Sequence, residues 1–163
     1  MEYVYIGKIV NTHGIKGELR IRSDFDKKEL VFKQGFNLYI GEGYVKEEIV
    51  KYRRHKDFDM VTFKGYNNIN QVLNYLKLNV YVLREDLNLD NNDYVLQDLV
   101  GFEVVENGEK FGKVAEIVYN GSSILLYVEA EKNFYIPYVD SYIKKVDLCN
   151  KLIEVHGAKG LIL

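Results

Sequence analysis

The chain has 163 residues, of which 47% are apolar and 28% charged, and its formal net charge is −2. Such a chain builds one medium domain or two small ones; global disorder and a bulk cationic coat for nucleic acid are excluded. No apolar run approaches the roughly 18 residues of a membrane helix, Met1-Glu2-Tyr3 does not open a signal peptide, and the single Cys149 allows neither an internal disulfide nor a multi-cysteine zinc site, as fits a reducing cytoplasm.

The first half reads mostly as strands. YVYIGKIV (3–10) and ELRIRS (18–23) flank a polar loop, and in the second of them Leu19 and Ile21 share one face while Arg20 and Arg22 share the other. NLYI (37–40), YVKEEIVKYRRH (44–55), DMVTFKG (59–65) and NVYVL (79–83) follow. Ile69, Val72, Leu73 and Leu76 have the spacing of a buried helical stripe, with Asn67 or Asn68 as its cap. A polar stretch, REDLNLDNND (84–93), then reads as a linker, with a boundary near residue 92.

The second half reads as strands throughout: 99–105, 113–119, 124–130, 134–137, 144–148 and 152–156. Asn-Gly at 107–108 and 120–121 supplies the positive φ that tight hairpins require. Strands at this spacing over about 70 residues suggest a small closed or half-closed barrel. The charge also divides. Up to Asn92 there are 15 basic and 13 acidic residues, and from Asp93 onward 7 and 11. A mildly basic module followed by an acidic one suggests different partners.

Two clusters are candidates for function. In NTHGIKGE (11–18), Thr12, His13 and Lys16 are donors on a loop turned by Gly14 and Gly17. Gly17 is followed by Glu18, so the stretch is not a Walker phosphate loop. GIKG matches a KH clamp, but it joins strands where that clamp joins helices. It is a hairpin turn, either merely polar or used as a recognition tip. The second cluster is KYRRHK (51–56). On a strand, Lys51, Arg53 and His55 face one way and Tyr52, Arg54 and Lys56 the other. Their density suits phosphate contacts, with Tyr52 able to stack on a base; a solvated strand end is the plainer reading. His13, His55 and His156 lack metal-ligand spacing, and Cys149 has no histidine near it in sequence, so neither metal nor cofactor is expected. An RNA-modifying or RNA-cleaving enzyme would have to bring His13, His55 or Cys149 together with a carboxylate.

Five stretches carry a resemblance. VYIGKIVNTHGIKGELRI resembles the N-terminal signature of the RimM family of bacterial ribosome maturation factors, and RRHKDFDMVTFKGYNNINQVLNYLKLNVYVLREDL resembles the rest of that family's first domain. DYVLQDLVGFEVV, GKVAEIVYNG and YIPYVDSYIKKVDL resemble its PRC-barrel domain. Thr12, His13, Gly14, Lys16, Gly17 and Glu18 carry the first motif, Tyr94, Asp98, Leu99 and Gly101 the interdomain motif, and Ile136, Pro137, Val146, Asp147 and Leu148 the late one. The sequence departs from the family where adjacent aromatics usually follow Tyr94 and Val95-Leu96 stand instead.

The resemblance implies a mainly β fold. A translation-factor-like barrel with one short helix (1–85) is joined by a linker (86–93) to a PRC-barrel (94–163). It implies a cytoplasmic, non-enzymatic factor that binds the immature 30S subunit at its head, contacts small-subunit ribosomal protein nineteen, and assists 16S rRNA processing. Thr12, His13, Lys16, Arg53, Arg54 and Lys56 are the expected RNA or ribosome contacts. Tyr94, Leu96, Asp98 and Leu99 are the expected contacts to the ribosomal protein. The alternative is a PRC-barrel adaptor for a protein or small ligand with no ribosomal role.

Overall fold

The computed structural model describes residues 1–121 and 123–162. The chain divides into two compact units, residues 1–90 and 91–163. In the first, six strands close into an antiparallel barrel: β1 (Tyr3–His13), β2 (Glu18–Arg22), β3 (Asn37–Ile40), β4 (Val45–His55), β5 (Phe58–Phe63) and β6 (Asn79–Leu83), in the order β1-β2-β5-β4-β3-β6. Closure between β1 and β6, with Val4 opposite Val82, leaves the sheet without a free edge strand. The inward residues are those the alternation marks. Ile6, Ile9, Leu19, Ile21, Leu38, Ile49, Val61, Phe63, Val80 and Val82 are all buried. Gly7 is required by close approach, since a Cβ there would lie 2.5 Å from the Arg22 carbonyl oxygen.

The helix expected over residues 69–76 is not an α-helix. It is two 3-10 turns, Ile69–Gln71 and Leu73–Tyr75, separated at Val72, where φ is −115°. Val72 and Tyr75 point into the core and Leu73 points to solvent. The physical reason is composition and span. Asn67, Asn68, Asn70 and Asn74 favour caps and turns over helix interiors, and a 3-10 turn rises further per residue as the chain returns to β6. Asn68 caps the first turn as expected, accepting from the Asn70 N–H, while Gln71 accepts from the Asn68 N–H. The short α-helix of this unit lies elsewhere, as α1 (Lys28–Val31), with Val31 buried.

The second unit is a six-stranded sheet. Its strands are β7 (Glu103–Glu106), β8 (Glu109–Asn120), β9 (Ser123–Glu129), β10 (Phe134–Pro137), β11 (Ile143–Asp147) and β12 (Leu152–Val155), in the order β10-β9-β8-β7-β12-β11. β7 and β12 pair in parallel and the other pairs are antiparallel. Strands β10 and β11 stand at the two ends of this sheet. One core gathers Leu96, Leu99, Phe102, Val104, Leu126, Val128, Ile136 and Ile153. Asn107 and Gly108 both have positive φ in the β7–β8 hairpin, as its two-residue turn demands. The second Asn-Gly turn runs into Ser122, which lies outside the described residues.

Candidate functional site

Strand β1 ends at His13, the chain turns through residues 14–17, and β2 begins at Glu18, directly opposite His13 in register. Gly14 (φ +68°) and Gly17 (φ +93°) take the left-handed conformations the turn needs. The turn is pinned rather than loose, because Ile15 accepts a 2.8 Å hydrogen bond from the Ile69 N–H. Gly17 lies against the Asn68 backbone, where a Cβ would be 3.4 Å away. Lys16 and Ile15 are exposed at the tip, and Thr12 is half-buried, its N–H donating to the Asn11 side chain.

The register then gathers a cluster on the barrel's outer face. Met60 on β5 pairs with Arg20 on β2 and with Arg53 on β4, so the two arginines flank it. Arg53 reaches across to Glu18, its Nε and Nη2 each donating at 2.8 Å to a separate carboxylate oxygen. That hydrogen bond is the main reason the Glu18 carboxyl is held below the usual range, and it pushes the Arg53 guanidinium up. Arg20 donates to His13 Nδ1 at 3.2 Å and lies over the Phe58 ring. The rings of His13 and His55 are 5.4 Å apart. Desolvation, followed by the charges of Arg53, His13, Lys56 and Arg20, pushes the His55 imidazole below its ordinary value. His13 and His55 thus converge beside a carboxylate, as an RNA-cleaving site would require, but Glu18 is already taken by Arg53 and His13 Nδ1 by Arg20. The cluster is built as a lattice of donors that an anion can enter.

KYRRHK is split by its own alternation. Lys51, Arg53 and His55 lie on the outer face with Arg20 and Glu18. Tyr52 and Arg54 turn instead towards Asp59, which is fully buried. Asp59 accepts from Lys28 Nζ at 2.8 Å and from the Tyr52 hydroxyl at 2.7 Å, and Arg54 Nη1 lies 3.6 Å from it. Burial and this carboxylate push the Tyr52 hydroxyl up to about 12. Lys56 occupies the β4–β5 hairpin with φ +56°, and its carbonyl accepts from Arg54 Nε. The two faces read from the alternation thus have different surroundings. Arg54 has a structural counterion, and Arg20, on another strand, belongs to the outer cluster. The signal for Asp59 was present, as an acid leading the apolar strand DMVTF.

In the second unit the residues expected to meet a ribosomal protein do not form one surface. Leu96 and Leu99 are buried core residues, so anchoring a partner is not open to them: their side chains face Phe102, Leu126 and their neighbours. Leu96–Leu99 is a 3-10 turn that puts both leucines inward. Asp98 accepts from the Val95 N–H at 3.0 Å and closes that turn. Tyr94 is half-buried against the core and hydrogen-bonds the Tyr138 hydroxyl. Of the late motif, Ile136 is core, and Asp147 accepts from the Asn150 N–H and side-chain amide, fixing the β11–β12 turn. Cys149 is exposed in that turn. Among the described residues no group of three His, Cys, Asp or Glu side chains could hold a metal, and no helix is long and apolar enough to cross a membrane.

Comparison with known proteins adds the following. The model of the RimM N-terminal domain matches residues 4–87, and that of the RimM PRC barrel domain matches residues 96–161. The chain is 36% identical over 165 residues to the ribosome maturation factor RimM of Bacillus cereus, covering 96% of each. It is 37% identical over 164 residues to that of Staphylococcus haemolyticus, covering 98% of each. Two solved structures are similar. One is a crystal structure of a 16S ribosomal RNA processing protein RimM from Pseudomonas aeruginosa (20% identity, TM-score 0.47, 94% of this chain and 96% of that one). The other is the solution structure of the RimM N-terminal domain from Thermus thermophilus (25% identity, TM-score 0.46, 55% of this chain and 98% of that one).

Proposed function

The chain belongs to the RimM family of ribosome maturation factors, and on that premise we propose that it binds the immature 30S subunit at its head and assists 16S rRNA processing by binding, without catalysis. The observation that carries this reading is the cluster on the outer barrel face, where Arg20, Arg53, His13 and His55 converge from three strands beside the exposed Lys16 turn. Thr12, His13 and Lys16 supply donors from the turn, and Arg53, Arg54 and Lys56 supply charge from the β4–β5 hairpin, in the manner of phosphate-positioning contacts. On the second unit, half-buried Tyr94 and the exposed Val100 offer a contact for small-subunit ribosomal protein nineteen. Two modest sites on linked units raise avidity while each alone still releases. The cytoplasm is the compartment this role requires.

Sedimentation of the full chain with immature and mature small subunits, over a salt series, tests the reading. Selective cosedimentation with immature subunits that weakens as salt rises is expected. Equal recovery with both subunits, or recovery indifferent to salt, would overturn it.

A further inference from the structure

Beside the outer cluster, where the chain leaves α1 and passes β4, lies a cavity of about 580 Å³, a size in the range of small-ligand sites; its lining includes Phe32, Lys33, Gln34, Lys51, Tyr52 and Arg53. Pairing of β4 with β3 covers Val45–Glu48, and over Lys51–His55 its partner is β5, so the cavity runs along a stretch of β4 lying past its pairing with β3. Three cations line it, against one carboxylate, Glu18, which is itself bound to Arg53. Its aromatic wall is Tyr52, which is 36% exposed although its neighbour Phe32 is buried.

We propose that this groove takes an unpaired nucleotide of RNA, with the base stacked on Tyr52, its edge met by the Gln34 amide, and the flanking phosphates met by Lys33, Lys51 and Arg53. The proposal deepens the RNA-facing reading above and rests on it. The Tyr52 ring is held on two sides before any ligand arrives. Phe32 stacks against it with centroids 5.8 Å apart and planes 16° apart, and its hydroxyl donates to the buried Asp59 at 2.7 Å. A ring already fixed loses little freedom on binding. The side-chain amide of Gln34, exposed at the rim, carries both a donor and an acceptor, as a base edge does. A duplex cannot use the groove, because its bases are stacked and paired; loops, bulges and ends can present one.

The test is a titration of the full chain, following the Tyr52 ring resonances assigned by difference against Tyr52→Phe. The probe is a single-stranded oligoribonucleotide of about ten residues, compared with its duplex and with polyglutamate. Expected are a Tyr52 ring shift with the single strand only, a loss of affinity of roughly tenfold or more in Tyr52→Leu, and retention within about threefold in Tyr52→Phe. An equal response to duplex or to polyglutamate, or unchanged affinity in a folded Tyr52→Leu, would overturn the proposal. Should Tyr52→Leu fail to fold, the wild-type ring shift decides alone. Cosedimentation with immature subunits is run in parallel. If it persists while Tyr52 stays silent, the groove is refuted and subunit binding stands; if it is lost, the wider reading falls first.

Discussion

Arg53 and Glu18 belong to strands that are not neighbours, since β5 lies between β4 and β2, yet the guanidinium reaches across and donates to both carboxylate oxygens at 2.8 Å. Met60, opposite Arg53 in register on the intervening strand, is fully buried. Arg53 is therefore already partnered in the free protein, and if RNA binds on this face, its contribution to phosphate binding is set by how readily Glu18 lets go.

Glu18→Gln should tighten binding to immature subunits and steepen the dependence of log K on log salt by about 0.7–0.9, one phosphate's worth. Arg53→Ala with Arg54→Ala should flatten that slope. Titration over a salt series reads both changes. An unchanged slope in Glu18→Gln would mean that releasing Arg53 from its carboxylate adds no phosphate contact.

His55 predicts a pH dependence with a definite sign. Desolvation and the nearby charges of Arg53, Lys56 and Arg20, with the His13 ring beside them, hold its pKa below the ordinary imidazole value in the free protein. A bound phosphate would oppose that charge and raise the pKa, so binding takes up a proton. Affinity for immature subunits should therefore rise as pH falls from about 7.5 towards about 6, and His55→Gln should remove much of the rise. In the free protein the sign is opposite. A depressed histidine pKa means that the unfolded chain binds the proton more readily, so stability falls as pH drops through the ordinary imidazole range.

Leu99 and Tyr94 should separate core from surface. Leu99→Ala should cost about 2–5 kcal/mol of stability, the usual range for emptying a packed site, as read by chemical denaturation. Tyr94→Phe keeps the ring and loses only the Tyr138 hydroxyl contact, so it should stay near wild type in stability. If Tyr94 also touches the ribosomal protein, Tyr94→Phe weakens that titration without a change in melting temperature. Wild-type values in both measurements would leave Tyr94 a packing residue.

The strands were legible because their alternation survives into the barrel almost residue for residue. NLYI and NVYVL are strands β3 and β6 with the same bounds, and Asn107-Gly108 turns as its residue types require. Two features were not legible, each for a local reason. The stripe of Ile69, Val72, Leu73 and Leu76 fits a helix by spacing, but asparagines break it into 3-10 turns and Leu73 ends exposed. The outer cluster depends on which strands become neighbours. Arg20 meets His13 within one hairpin, whereas Glu18 meets Arg53 only because β5 brings β2 and β4 together, and no local spacing announces that.

The linker makes a narrower target than its composition suggested. Leu87 is buried and the 3-10 turn Arg84–Leu87 belongs with the first unit, while Asn88, Asp90, Asn91, Asn92 and Asp93 are exposed. Limited proteolysis of the full chain should cut first within residues 88–93 and leave two stable fragments, as exposed segments between compact units do. Early fragments beginning inside a strand would refute this boundary.

Asp59 tests whether the inner half of KYRRHK is structural. Its carboxylate is fully buried and takes Lys28 from α1, the Tyr52 hydroxyl from β4 and, at longer range, Arg54. It therefore ties the short helix to the barrel wall and fixes the Tyr52 ring. Asp59→Ala leaves Tyr52 and Lys28 without that acceptor and should cost about 2–3 kcal/mol, below the figure for fully buried pairs because Lys28 and Arg54 reach solvent. Asp59→Asn keeps an acceptor for Tyr52 and should cost less. The same change frees Arg54. If Arg54 contacts RNA directly, Asp59→Asn should steepen the salt dependence of subunit binding, as Glu18→Gln does on the other face. If Arg54 serves only the buried carboxylate, stability falls and the salt slope does not move. Denaturation and salt titration of the one variant thus decide whether Arg54 serves the buried carboxylate alone or also contacts RNA, and an Asp59→Ala protein as stable as wild type would remove the structural role altogether.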